Sequence, residues 1–227
     1  MAYDESYYEW NGQAVDRPAL LFYARLARRY FAKGKVLDFG SGAGFLLRRL
    51  SKHFQVDGYE ISFHAKAKSE SLHKGIRVFD NFANILPGSY IGIAALHVFE
   101  HIDDDNLKGI FAAFRNILLP HGRILCVVPE LEGRGHAIKG SEWSGFKDST
   151  HINLKNFQGW SSFFQENGFT IVTAGADGLW DFPYSHLPRY LDIVRHSWLT
   201  ILQFVLGRLL LPASSGESAV FILERRS

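Results

Sequence analysis

From Lys35 onward, short continuous apolar runs alternate with longer stretches of helical spacing. The runs at 35–39, 55–59, 76–79, 91–96 and 123–128 predict buried strands, because a parallel strand covered on both faces is apolar throughout. Helices are predicted at 44–53, 63–73 and 105–118. Ahead of them Pro18 opens a helical pattern (Leu20, Leu21, Ala24, Leu26, Ala27, Tyr30, Phe31) that Gly34 ends. Residues 129–150 contain Gly133, Gly135, Gly140 and Gly145 without periodicity, which predicts a long loop of the functional kind. A helix at 154–166, strand six at 169–173 and a last strand at 219–223 follow. Between those strands lies an insertion, 176–216, with an apolar helix at 198–211. The expected fold class is therefore α/β, a mostly parallel sheet with helices on both faces.

The chain of 227 residues suits a single domain. It divides into a lead-in and helix (1–34), a core (35–128), the loop (129–150) and the insertion (176–216). The lead-in, with Tyr3, Tyr7, Tyr8 and Trp10, reads either as a loose tail or as an aromatic flap over a pocket. A net charge of +2 gives no electrostatic case for nucleic acid. One cysteine, Cys126, excludes an internal disulfide and fits a reducing compartment, so the cytoplasm is expected. The stretch 198–211 is too short and interrupted to span a bilayer, which needs about 20 apolar residues.

The chemistry centres on Val36-Leu37-Asp38-Phe39-Gly40-Ser41-Gly42-Ala43-Gly44-Phe45, a strand leading into a glycine-rich turn. Such a turn lets a ligand approach the backbone closely. Phe45 stands where a dinucleotide fingerprint has its third Gly or Ala, which disfavours a nicotinamide or flavin cofactor. In an open parallel sheet ligands bind beyond the carboxyl ends of the strands. Those ends are Gly40-Ser41-Gly42, Glu60, Asp80 and Leu96-His97. Glu60 can accept from ribose hydroxyls. Asp80 can accept from an adenine amino group beside Asn81 and Phe82, or simply face water.

Four segments together resemble the class I S-adenosylmethionine-dependent methyltransferases, and in particular the ubiquinone-type and other small-molecule enzymes. Asp38-Phe39-Gly40-Ser41-Gly42-Ala43-Gly44 is similar to the family's first motif, and Tyr59-Glu60-Ile61-Ser62 to its acidic second one. The segment Leu96 to Asp104 resembles the stretch after the fourth strand. Leu118-Leu119-Pro120-His121-Gly122-Arg123-Ile124 resembles the turn into the fifth, with His121 in place of the first glycine of a pair. The resemblance implies a seven-stranded Rossmann-like sheet, order 3-2-1-4-5-7-6, last strand antiparallel. It implies S-adenosylmethionine as cofactor and S-adenosylhomocysteine as product. Gly40, Ser41 and Gly42 would face the methionine portion, and Asp38 would order the turn and the amino end. Glu60 would hold the ribose with Ile61 against the adenine, Asp80 and Asn81 would sit at the adenine edge, and Leu96 and His97 near the sulfonium.

Methyl transfer to oxygen requires a base, and histidine suits that task near neutrality. His151, after the glycine-rich loop, and His97, at the end of strand four, are the candidates; His101 can equally cap or pair locally. His97, Glu100, His101 and His151 could also surround an ion, as in some RNA-terminal and quinone-pathway methyltransferases. With His97 where those have a glutamate, no metal is assigned. The aromatic segments around the expected pocket, including Trp143 and Phe146, suit a small acceptor that is aromatic, a sugar or lipid-linked. Helix 198–211 can pack on the domain, join a homodimer or hold a lipid-linked acceptor. Two other functions stay open: an inactive cofactor-binding partner protein, and a metal-assisted RNA methyltransferase.

Overall fold

A computed structural model describes residues 15–226. The expected aromatic flap, with Tyr3, Tyr7, Tyr8 and Trp10, lies outside the described residues. Seven strands form one sheet: β1 (Lys35–Phe39), β2 (Gln55–Tyr59), β3 (Arg77–Phe79), β4 (Tyr90–Leu96), β5 (Leu118–Pro129), β6 (Phe169–Ala176) and β7 (Ser218–Arg225). Their order is β3-β2-β1-β4-β5-β7-β6, as expected. The first five pair in parallel, and β7 runs antiparallel between β5 and β6.

The apolar runs are continuous because both sheet faces are covered. Along β7, Val220 and Ile222 point to one core, with Leu26, Leu47 and Val127, while Ala219, Phe221 and Leu223 point to the other. The first core lies under α1 (Ala19–Tyr30) and α2 (Phe45–Leu50). The second lies under α4 (Asp104–Ile117) and α7 (Phe157–Glu166), and α3 (Phe63–Leu72) links β2 to β3. Rings dominate the second core. Phe114 is fully buried, 5.0 Å edge-on to Phe39 and 5.5 Å from Phe111. Phe114→Ala is expected to cost about 3–5 kcal/mol, the range for deleting a buried ring, read as a lowered urea midpoint at unchanged slope.

Several expectations need correction. Residues 129–150 are not an irregular loop: they hold α5 (Arg134–Lys139), a 3₁₀ turn at Gly140–Glu142 and α6 (Ser144–Lys147). Segments of three to six residues are too short to show a period. They are tied to the insertion by Arg134 N–H to Ser214 O (2.9 Å) and Gly135 N–H to Gly216 O (3.1 Å). The insertion helix, α8, spans Arg189–Leu206 rather than 198–211. Gly207, left-handed at φ 58°, ends it, and Leu209 to Leu211 continue the apolar composition without the helix. Strand six extends to Ala176, and the helix expected from 154 starts at Phe157, capped by Asn156, which accepts from Gly159 N–H (2.8 Å).

Candidate functional site

The carboxyl ends of β1, β2 and β4 converge on the glycine turn. Gly40 N–H and Ser41 N–H both donate to Tyr59 O (2.9 and 3.0 Å), which folds the turn back against β2. Gly40, Gly42 and Gly44 have φ of 74°, 52° and 83°, left-handed values that a side chain resists. At Gly40 a Cβ would also lie 2.4 Å from Val98 Cγ2, so this turn is closed to larger residues on two grounds.

Glu60, 5% exposed, holds both flanks of the turn. Its Oε2 accepts from Gly42 N–H and its Oε1 from Ser62 N–H, each at 2.8 Å. Asp38 lies buried behind it. Burial, and secondly the charge of Glu60, push its carboxyl up to about 8, and its Oδ2 has no hydrogen-bond partner. Ile61 is 64% exposed at the lip of the site. Asp80 faces solvent and pairs with Lys66 (2.7 Å), whose ammonium holds it below the usual carboxylate range. Asn81 Oδ1 accepts from Ala83 N–H (2.9 Å). A small crevice of about 60 Å³ runs along Asp38, Gly40, Gly42 and Leu96.

Next to it opens a larger cavity of about 730 Å³. Arg17, Leu20 and Leu96 line both spaces. His97, Glu100, His101 and His151 form one wall, and Trp143 and Trp180 supply aromatic surface. Thus the strand-end segment after β4 and the segment 129–150, far apart in sequence, meet here. His97 is itself left-handed, at φ 55°, its N–H held by Val127 O (2.8 Å). Strain of this kind at a non-glycine residue gathers at functional sites. Its Nδ1 lies 3.3 Å from Glu100 Oε1, and Glu100 is wholly buried with neither oxygen hydrogen-bonded. Burial pushes the Glu100 carboxyl up, but His97, His101 and His151 outweigh it and hold it below its ordinary value.

His151 Nδ1 donates to Gly145 O (2.7 Å), since a carbonyl only accepts, and its Nε2 lies 3.7 Å from Asp148 Oδ2. His101 packs against it, ring centroids 4.8 Å apart, and Thr150 Oγ1 lies 2.8 Å from its Nδ1. His101 therefore belongs to the cavity wall rather than to a local helix cap. Burial lowers its pKa, which favours the neutral ring. One ligand atom each from Glu100, His101 and His151 lie within 4.8 Å of one another, a spacing compatible with a metal ion.

Two carboxylates of the cavity, Asp177 and Glu217, were not among the residues expected from the sequence. Asp177, buried, accepts from Tyr23 Oη (3.0 Å) and from Ser218 N–H (3.0 Å), and burial lifts it to about 6. Glu217, bonded to Tyr184 Oη, is lifted to about 7, again chiefly by burial. A signal existed: Asp177 follows β6, parallel to β5, and Glu217 precedes the antiparallel β7, so both fall on the ligand-binding edge.

Over residues 13–174 the sequence matches a family described as a methyltransferase domain. Among solved structures, an S-adenosylmethionine-dependent methyltransferase from Archaeoglobus fulgidus is 17% identical with a TM-score of 0.63, covering 91% of this chain and 94% of that one. A chain in the Haloferax volcanii complex of the Trm112 methyltransferase activator is 16% identical with a TM-score of 0.69, covering 99% and 96%. Phosphoethanolamine N-methyltransferase 2 of Haemonchus contortus, in complex with S-adenosylmethionine, is 19% identical with a TM-score of 0.58, covering 90% of this chain and 52% of that one. No curated protein matches the sequence.

Proposed function

The chain belongs to the methyltransferase-domain family, with the class I fold and S-adenosylmethionine as cofactor, and from that premise we propose that it methylates an oxygen of a small-molecule acceptor held in the 730 Å³ cavity. The observation that carries this reading is that Leu96 lines both the glycine-turn crevice and the cavity, with His97 beside it. Glu60 would hold the ribose of the cofactor, Ile61, Asp80 and Asn81 its adenine, and Gly40, Ser41 and Gly42 its methionine portion, with the methyl group it supplies available to an acceptor in the adjoining cavity. The sulfonium is already a good leaving group, so most of the rate comes from aligning the acceptor oxygen opposite the sulfur.

His97 is the base in this reading. Its Nδ1 is directed toward the buried Glu100 carboxylate, which leaves Nε2 to take the acceptor proton, and its place next to Leu96 puts it at the junction of the two spaces. His151 stands on the same wall and helps to hold the acceptor. Incubation with methyl-labelled S-adenosylmethionine and panels of phenols, hydroxylated sugars and lipid-linked alcohols tests this. Label should appear in one small-molecule class; cofactor binding with no transfer to any acceptor pool would instead support an inactive partner protein.

The raised carboxyl of Asp38 gives a proton-linked prediction. At pH 6.5 a group with a pKa of about 8 holds its proton in the free protein. The amino end of the cofactor is cationic and favours the carboxylate, so binding should release up to one proton. Affinity should rise up to tenfold per pH unit between pH 6 and 7. Calorimetry in buffers of different ionisation heat reads that proton directly. Asp38→Asn should abolish it, and a wild-type protein exchanging no proton would overturn the assignment.

A further inference from the structure

Helix α8 is inside out. Its buried side is polar: Asp192, Ser197, Thr200 and Gln203 are each at most 5% exposed. Its outward side is apolar, with Tyr190, Val194, Trp198, Ile201 and Val205 each more than half exposed. The spacing of these five, four, four, three and four residues apart, places them on one stripe along the helix.

Hydrogen bonds fix this orientation. Gln203 Nε2 donates to Ala176 O (3.0 Å) and Asp177 O (3.2 Å), and its Oε1 accepts from Leu210 N–H and Leu211 N–H (2.8 and 3.1 Å). Asp192 accepts from Tyr184 N–H and Ser185 Oγ (2.6 and 2.5 Å). Turning the apolar stripe inward would break all of these and strand buried polar groups. The outward stripe is thus built into the fold, and its contiguous apolar surface is of the kind that marks an interaction site.

We propose that α8 docks in the plane of an anionic lipid bilayer, with Trp198 and its neighbours at the headgroup boundary. Charge decides in favour of this occupant. From 187 to 211 the sole carboxylate is Asp192, which is buried, while Arg189 and Arg208 stand exposed at the two ends of the helix. The exposed basic residues of α1 extend that charge: Arg25 lies 5.3 Å over the Phe204 ring and donates to Phe204 O (2.7 Å), with Arg28 and Arg29 on the same helix. An apolar stripe flanked by arginines and lacking exposed acids is the pattern of an interfacial helix, and each arginine near an anionic surface strengthens binding about fivefold. A second copy of the chain would set the same cationic ends near one another, which disfavours pairing through this face. No helix among the described residues is long and apolar enough to cross a membrane, so the helix lies on the bilayer rather than through it.

The test uses the full chain with vesicles of phosphatidylcholine, alone or with about one third phosphatidylglycerol. Co-sedimentation with the anionic vesicles, weakened by salt, and a blue shift of fluorescence that disappears in Trp198→Phe are the expected results. Trp198→Glu with Ile201→Glu should lower vesicle affinity at least about tenfold, because two charges must enter the apolar boundary. Both positions are solvent-facing, so the variant should keep its melting temperature and its affinity for S-adenosylmethionine. Arg189→Ala with Arg208→Ala should weaken binding to anionic vesicles about 25-fold from two lost arginines, with little effect on neutral ones. Failure to bind vesicles of either composition would overturn the proposal. So would a dimer in sedimentation equilibrium that the Trp198→Glu, Ile201→Glu variant dissociates, since the stripe would then belong to a second copy. Neither result bears on methyl transfer, which is measured without vesicles.

Discussion

Replacing Glu60 by alanine should raise the dissociation constant for S-adenosylmethionine by about 10–100-fold, the consequence of removing a charged hydrogen-bond acceptor worth about 1.5–3 kcal/mol. The geometry suggests an effect at the high end. Glu60 binds Gly42 N–H and Ser62 N–H at 2.8 Å each, so its loss both removes the proposed ribose acceptor and loosens the turn. Glu60→Gln separates these contributions: its amide oxygen can still receive one backbone donor, but the charge is gone. Its affinity should lie between those of wild type and alanine. Calorimetry with S-adenosylhomocysteine measures all three proteins, and a thermal melt verifies that each is folded. Unchanged affinity in folded Glu60→Ala would refute the ribose assignment.

The second large effect belongs to His97. His97→Gln should lower kcat about 10²–10⁴-fold, the range for losing a general base, with the dissociation constant of the cofactor little changed. The pH profile distinguishes a base from a packing residue. Wild-type kcat should show an acid limb that the glutamine variant lacks. His151→Ala should instead raise KM for the acceptor more than it lowers kcat. If the two substitutions exchanged these signatures, the base would be His151.

Much of this molecule could be read from residue order, and the reasons are physical. A buried parallel strand must be apolar on both faces, so β1, β2 and β4 announced themselves to within a residue. The turn was legible because three glycines at alternate positions are needed for its left-handed dihedrals. His121 illustrates the same constraint, since it takes φ 61° where the resemblance led one to expect glycine.

What stayed hidden depends on tertiary partners. Segment 129–150 folds into helical turns because Trp143 is buried against Gly145 and its backbone is bonded to the insertion, neither of which leaves a periodic trace. Helix α8 was misplaced because its apolar residues face outward: composition alone cannot say that Gln203 and Asp192 are the anchors. The cavity carboxylates Asp177 and Glu217 required the strand directions of β6 and β7 to be placed on the ligand-binding edge. Likewise, the meeting of His101 with His151, separated by 50 residues in sequence, comes from packing, not spacing.

The most direct test is a crystal structure of the protein with S-adenosylhomocysteine bound. Both ribose hydroxyls should lie on the Glu60 carboxylate, with the methionine portion along Gly40 to Gly42. The sulfur should lie beside Leu96 and His97, with the position of the missing methyl open to the cavity. A ligand whose ribose lies away from Glu60, or whose sulfur is walled off from that cavity, would contradict the proposed function.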